Sequence, residues 1–291
     1  MPLKSLQAYR DVRESLLQGY RDAGKIPANG TSRDVQAYLR RTLDGLYKDL
    51  ADNDEIYKNM SAAKIKKHYQ VANKKDYWLA RGKTAGDVRS ERALESADCM
   101  KFLTKTEIEI LSFHTGNGYQ HNLSVLVNPK KKPYPPGQSD RARELIAAQK
   151  VIQETLNARL ERPAVQLYRS LGTYNSRFTG EDLADWLQSG KGIGKKMGLE
   201  LTSSFSQNEQ TSLDIFMPPD GGIMFRVVTS KGIPVTSVSR HPEEMESIIV
   251  GGAVYRPVRA EMVIGKYIMD YLQVDLELLD SGETPDVRFS C

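Results

Sequence analysis

Cysteine is almost missing from this chain: Cys99 lies mid-sequence and Cys291 is the last residue given. Two thiols so placed make no disulfide framework, so a reducing compartment is expected. Histidine is also scarce. His68, His114, His121 and His241 lack close ligand spacing, so no structural metal site is expected. No run approaches the ~20 consecutive apolar residues that span a bilayer. The opening residues Met1–Gln7 lack the apolar core and small-residue cleavage site of a secretory leader, so no signal peptide is expected there. Charge of one sign is lacking too: the net charge is +4, where a nucleic-acid-binding surface would want a stronger, clustered excess, so a reading of that kind rests on this mild charge and the Lys/Tyr/Trp-rich segment 64–78. The one dense basic run, Lys130-Lys131-Lys132 between Pro129 and Pro133, reads as a solvated loop.

What is present divides by pattern. Residues 1–95 read as polar and helical. Leu6, Tyr9, Val12, Leu16, Leu17 and Tyr20 recur at helical spacing. After breaks at Gly24, Pro27 and Gly30, Thr31 and Asp34 resemble a capped helix start. A second stripe follows: Val35, Tyr38, Leu39, Leu43, Leu46 and Leu50. A lysine-rich segment from Ile65 to Trp78 and a connector near 81–96 close this region. Thr104 and Glu107 form a capping box, and Tyr119, Leu123 and Leu126 mark a further helix. Ser139 or Asp140 is expected to cap a long helix that Pro163 ends. Beyond it the text turns strand-like: Val165–Arg169, Leu199–Ser203, Ile223–Val228, Ile233–Val238, Met245–Val250, Ala253–Val263 and Lys266–Leu279, with a helix near Glu181–Leu187. Helices first and strands later argue for an α+β fold. Gly190–Lys196 is rich in glycine and lysine without phosphate-loop spacing, and reads as a turn.

Three elements carry chemistry. Leu167-Tyr168-Arg169-Ser170 puts an arginine near the end of an apolar alternation. Leu201-Thr202-Ser203-Ser204 runs a strand into hydroxyls. Glu244-Met245-Glu246 precedes an apolar strand; at strand period the two carboxylates would share one face, where like charges repel. Each alone has an ordinary reading: an edge arginine, a polar turn, an acidic loop. In this order and spacing they resemble the Arg–Ser–Glu class of mono-ADP-ribosyltransferase toxins and effectors. That class has an aromatic-Arg strand end, a Ser-Thr-Ser strand and a Glu-x-Glu loop. Thr202-Ser203-Ser204 departs from Ser-Thr-Ser but keeps a hydroxyl at each position. Phe113–Gly116 with Tyr119–Asn122, and Gly222–Val227, resemble the segments that surround these motifs. The likeness covers roughly residues 99–280 and none of 1–95.

The resemblance implies an ADP-ribosyltransferase fold, a two-sheet mixed β core with flanking helices around an NAD cleft. It implies a catalytic domain over 96–291 and a separate N-terminal helical region over 1–95. NAD would be the co-substrate, no metal would be needed, and the partner would be a target protein bearing an acceptor arginine. Glu246 would stabilise the cationic transition state and contact the ribose. Glu244 would face the acceptor guanidinium, since the Glu-x-Glu form goes with arginine. Arg169 would hold NAD phosphates, and Thr202 and Ser203 would orient Glu246. Phe216 is a candidate to stack on nicotinamide and equally an ordinary core aromatic; Tyr119 and Asn122 are candidates to bind NAD and equally helix-packing residues. Arg240 and His241 read as exposed loop residues. The class also implies a bacterial effector delivered into host cells, with phage enzymes of this kind known as well. Two other readings fit the same residues: an NAD glycohydrolase, with water as acceptor, and an inactive interaction protein on the same scaffold.

Overall fold

The computed structural model describes residues 2–70, 94–118, 126, 137–172, 180–266 and 269–289. They form two compact units: Met1–Arg162 with Pro234–Pro242, and Pro163–Ile233 with Glu243–Cys291.

The first unit is helical: α1 (Leu6–Asp22), α2 (Ser32–Asn53), α3 (Ala62–Gln70), α4 (Lys105–Phe113) and α5 (Gln138–Arg159). The expected starts of α2 and α4 are present. The Thr31 N–H donates to Asp34 at 2.7 Å, and the Thr104 N–H to Glu107 at 2.8 Å. These satisfy donors that a helix start leaves orphaned. The stripe Val35, Leu39, Leu43, Leu46 and Leu50 is buried along α2. The start of α5 differs from expectation. Gly137, at φ 87°, is its N-cap, and neither Ser139 nor Asp140 plays that part. Glycine takes this left-handed backbone without the Cβ penalty.

The compact unit does not end at residue 95. Three buried carboxylates, each paired with an arginine from another helix, tie its first helices to α4 and α5. Arg13 of α1 meets Glu107 at 2.8 Å, Arg40 of α2 meets Glu109, and Arg141 of α5 meets Asp49 of α2. Gly45 makes room for the third pair, since a Cβ there would lie 2.7 Å from Arg141 Cδ. Burial raises the Cys99 thiol to about 12, which keeps it protonated and inert.

The second unit is a sheet of nine strands among the described residues: β1 (Val165–Gly172), β2 (Met197–Leu199), β3 (Ser203–Ser206), β4 (Gly222–Thr229), β5 (Ile233–Pro234), β6 (Glu246–Ile249), β7 (Ala253–Lys266), β8 (Met269–Leu278) and β9 (Val287–Phe289). Helix α6 (Gly180–Gln188) follows β1. The order is β5-β6-β3-β1-β4-β8-β7-β2-β9. β1–β4 and β7–β8 are antiparallel, and β4–β8 is parallel.

Three expectations change here. Residues 199–203 are not one strand: the chain leaves β2 after Leu199 and enters β3 at Ser203. Hydrogen bonding also joins the strands in one order, not two separate sheets. The junction is narrow, for β1 and β3 meet at the single pair Tyr168↔Ser206. Yet β2 and β3 are sequence neighbours far apart in that order, and so are β6 and β7. The sheet therefore folds back on itself. One apolar cluster accordingly holds Leu167, Phe205 and Ile249 from one part, Leu199, Tyr255 and Phe289 from the other, and Leu183 and Leu187 from α6. The 233–238 strand shrinks to Ile233–Pro234, because proline offers no N–H to a ladder. β9, too short to stand out in the sequence, pairs parallel with β2.

Glu107→Ala should destabilise the helical unit by about 3 kcal/mol, since it leaves Arg13 without its buried partner and removes the α4 capping box. Urea unfolding followed by circular dichroism measures this; a loss within error of zero would contradict it.

Candidate functional site

Strand β1 alternates so that Leu167 and Arg169 are buried while Gln166 is exposed. Arg169 pairs with Phe225 of β4 and retains only 6% of its surface. A guanidinium turned to the face of Leu167 and Phe225 is costly unless it is compensated there. Its neighbour Tyr168 belongs to the alternate face.

A polar row crosses the sheet at Tyr168. Directly opposed residues run Glu246 (β6), Ser206 (β3), Tyr168 (β1), Arg226 (β4), Asp275 (β8) and Arg259 (β7). At the usual strand spacing the Glu246 and Tyr168 backbones are about 10 Å apart. Farther along, Arg226 grips Asp275 with two bonds of 2.7 and 2.9 Å. That carboxylate raises the Arg226 pKa above its ordinary value.

The Glu-x-Glu segment is not the continuous strand its spacing suggests. Glu244 ends a 3-10 turn, Pro242–Glu244, and Glu246 begins β6. Between them Met245 adopts φ 48°. A left-handed backbone costs a non-glycine residue about 1–2 kcal/mol. The two glutamates therefore do not share a strand face by alternation. Glu246 is 4% exposed, whereas Glu244 is half-buried.

The end of β3 holds this turn. The Ser206 hydroxyl donates to the Glu244 carbonyl at 2.8 Å and accepts from the Asn208 N–H at 3.0 Å. The Gln207 N–H donates to the Met245 carbonyl at 3.2 Å, and the Gln207 amide to Ser247 Oγ at 2.9 Å. Ser206 was missed in the sequence. Its signal was the alternation Ser204-Phe205-Ser206, with the polar side opposite a core phenylalanine.

Thr202 and Ser203 lie at the other end of the β3–β6 pair. Ser203 opposes Ile249, three residues from the Ser206↔Glu246 pair and so about 10 Å along the strand. Thr202 Oγ1 accepts from the Gly251 N–H at 3.0 Å, and the Ser203 hydroxyl donates to the Leu201 carbonyl at 3.3 Å. Thr202 thus pins the chain just past β6, and the hydroxyl opposite Glu246 is that of Ser206.

Phe216 ends a π-turn, Ser212–Phe216, and is 41% exposed, so it is not a core aromatic. Ser170 of β1 donates to the Ser212 carbonyl at 2.8 Å and joins this turn to the arginine strand. Tyr119 and Asn122 lie outside the described residues. Arg240 belongs to the helical unit, where it donates to the Tyr57 hydroxyl at 3.0 Å; His241 is exposed. Among the described residues there is no cluster of three or more metal-ligating side chains, and no helix is long and apolar enough to cross a membrane.

No protein-family model matches the sequence, and no curated protein matches it. Solved structures do. The Vis toxin, an ADP-ribosyltransferase from Vibrio splendidus, is 15% identical; the match covers 77% of this chain and 95% of that one at a TM-score of 0.50. The chain has the ADP-ribosyltransferase fold. Two further matches are Plx2a, an ADP-ribosyltransferase toxin from Paenibacillus larvae, and the ADP-ribosylating toxin BECa of C. perfringens. They are 14% and 18% identical, cover 65% and 66% of this chain and 96% and 48% of theirs, with TM-scores of 0.47 and 0.49. In this ADP-ribosyltransferase fold, Arg169, Ser206 and Glu246 occupy three adjacent strands; Ser206 and Glu246 share the row of Tyr168, and Arg169, one residue on, belongs to the alternate face.

Thr202→Val should lower stability by about 1–2 kcal/mol, because it leaves the Gly251 N–H without its acceptor. Denaturant titration checks this, and an unchanged midpoint would remove Thr202 from its anchoring role.

Proposed function

We propose that the chain is a mono-ADP-ribosyltransferase of the Arg–Ser–Glu class that uses NAD to modify arginine side chains of a target protein. The observation that carries this is the pair of unlike glutamates. One is buried at the first residue of β6, opposite Ser206. The other is half-exposed just before it. The fold and the exposed Phe216 support the same reading.

In the proposed reaction the bond between ribose C1′ and the nicotinamide nitrogen breaks, and its electron pair leaves with nicotinamide. The ribose becomes an oxocarbenium cation, which Glu246 stabilises as a fixed negative charge with little water nearby. A guanidinium is a poor nucleophile while protonated, and its pKa exceeds ~12. Glu244 takes its proton as the new bond from nitrogen to C1′ forms. Arg169 holds phosphate oxygens by forked hydrogen bonds, and Phe216 offers a ring to nicotinamide. Thr202 and Ser203 act on the strand carrying Glu246 from its far end, and Ser206 from the near end. The folded-back sheet favours a two-layer core around an NAD cleft. We place the catalytic residues within 96–291, although the compact helical unit runs from before residue 95 to Arg162, count Tyr119 and Asn122 among the NAD-binding residues, and assign the chain to effectors delivered into host cells.

With labelled NAD, Glu246→Gln should lower nicotinamide release by ~10²-fold or more. Glu244→Gln should keep release within about threefold while transfer to arginine falls by ~10²-fold. Release assays, with mass spectrometry to locate modified residues, separate the two. Free ADP-ribose as the sole product would leave a glycohydrolase. Release indifferent to Glu246 would end the proposal.

A further inference from the structure

Met245 is one of only two non-glycine residues at positive φ among the described residues, and it sits between the two glutamates. Its side chain is buried, at 3% exposure, so the strained backbone is held in place from both ends. Ser206 clamps the carbonyl before it, and the Gln207 N–H clamps its own carbonyl. In an extended backbone, residues 244 and 246 would point to one side and repel. The left-handed residue breaks that alternation, and the burial of the two differs accordingly.

We infer that Met245 is a positioning residue whose left-handed backbone divides the labour of the two glutamates. It turns Glu246 into the buried start of β6 and leaves Glu244 half-buried just before it, for the acceptor guanidinium. This rests on the transferase reading and adds to it that the division is built into the fold before substrate arrives. It also makes acceptor choice, arginine against water, depend on a residue that touches neither substrate.

Three substitutions separate backbone from side chain. Met245→Leu keeps an apolar side chain that is unbranched at Cβ. Met245→Ile has the same composition as leucine but is branched at Cβ, which makes positive φ a true outlier. Met245→Gly takes the left-handed backbone freely and loses the side chain. Two quantities are read: the ratio of transfer to hydrolysis with NAD and the arginine analogue agmatine, and hydrogen exchange at the backbone N–H of Gln207, which donates to the Met245 carbonyl.

The ratio should stay within about threefold in Leu and Gly, and fall about tenfold or more in Ile with KM for NAD little changed. Protection of the Gln207 backbone N–H should drop in Ile alone. Equal behaviour of Ile and Leu, or a ratio lost in Gly but kept in Ile, would overturn the inference. Should the unsubstituted chain release no nicotinamide, the transferase reading fails, while the exchange contrast between Ile and Leu still decides the role of Met245.

Discussion

The turn that follows β6 lies directly against the link between β2 and β3, and that contact requires a glycine. A Cβ on Gly251 would come within 2.5 Å of the Glu200 carbonyl oxygen and 2.9 Å of the Thr202 nitrogen. With hydrogen alone there, the Gly251 N–H reaches the Thr202 hydroxyl, and the next N–H, of Gly252, reaches the Leu199 carbonyl at 2.8 Å. These bonds bring together strands that stand far apart in the sheet order. They also set the register of β3 on β6, and so decide which hydroxyl faces which carboxylate. A slip of one residue would turn each side chain of β6 to the other face.

From that register the proposed chemistry follows. Ser206 is brought opposite Glu246, and its hydroxyl is committed to the turn carrying Glu244. Arg169 is one strand farther, on the face lined by Leu167 and Phe225. The cationic strand, the hydroxyl strand and the acidic strand are thus consecutive, although Arg169 and Glu246 are far apart in the chain. The helical unit is organised by a different principle. Its buried carboxylates each recruit an arginine from another helix, and such pairs are costly to break on one side only.

Much of the fold was legible. Helix starts with local capping signals, Thr31 with Asp34 and Thr104 with Glu107, stand where the pattern puts them, because a capping box is closed within four residues. The strands Val165–Gly172 and Gly222–Thr229 also stand where the sequence puts strands, at Val165–Arg169 and Ile223–Val228. The start of α5 was misread, since a glycine cap depends on a backbone angle that composition does not encode. The break between β2 and β3 was hidden because Leu199–Ser203 keeps a strand-like composition while crossing between two parts of the sheet. In the site, Arg169 and the Glu-x-Glu segment were readable as types and spacings. Ser206 was not, since a serine gains its meaning only from the strand that it faces.

The sequence by itself determined the element types, the capped helix starts and the presence of an arginine, a hydroxyl run and paired glutamates in order. Those are local properties, governed by periods of 3.6 and 2 and by side chains within one turn of the backbone. The tertiary structure alone decided the unit that continues past residue 95, the register opposing Ser206 to Glu246, and the left-handed Met245 that sets the two glutamates apart. These depend on contacts between residues distant in the chain, whose geometry no short stretch of sequence contains.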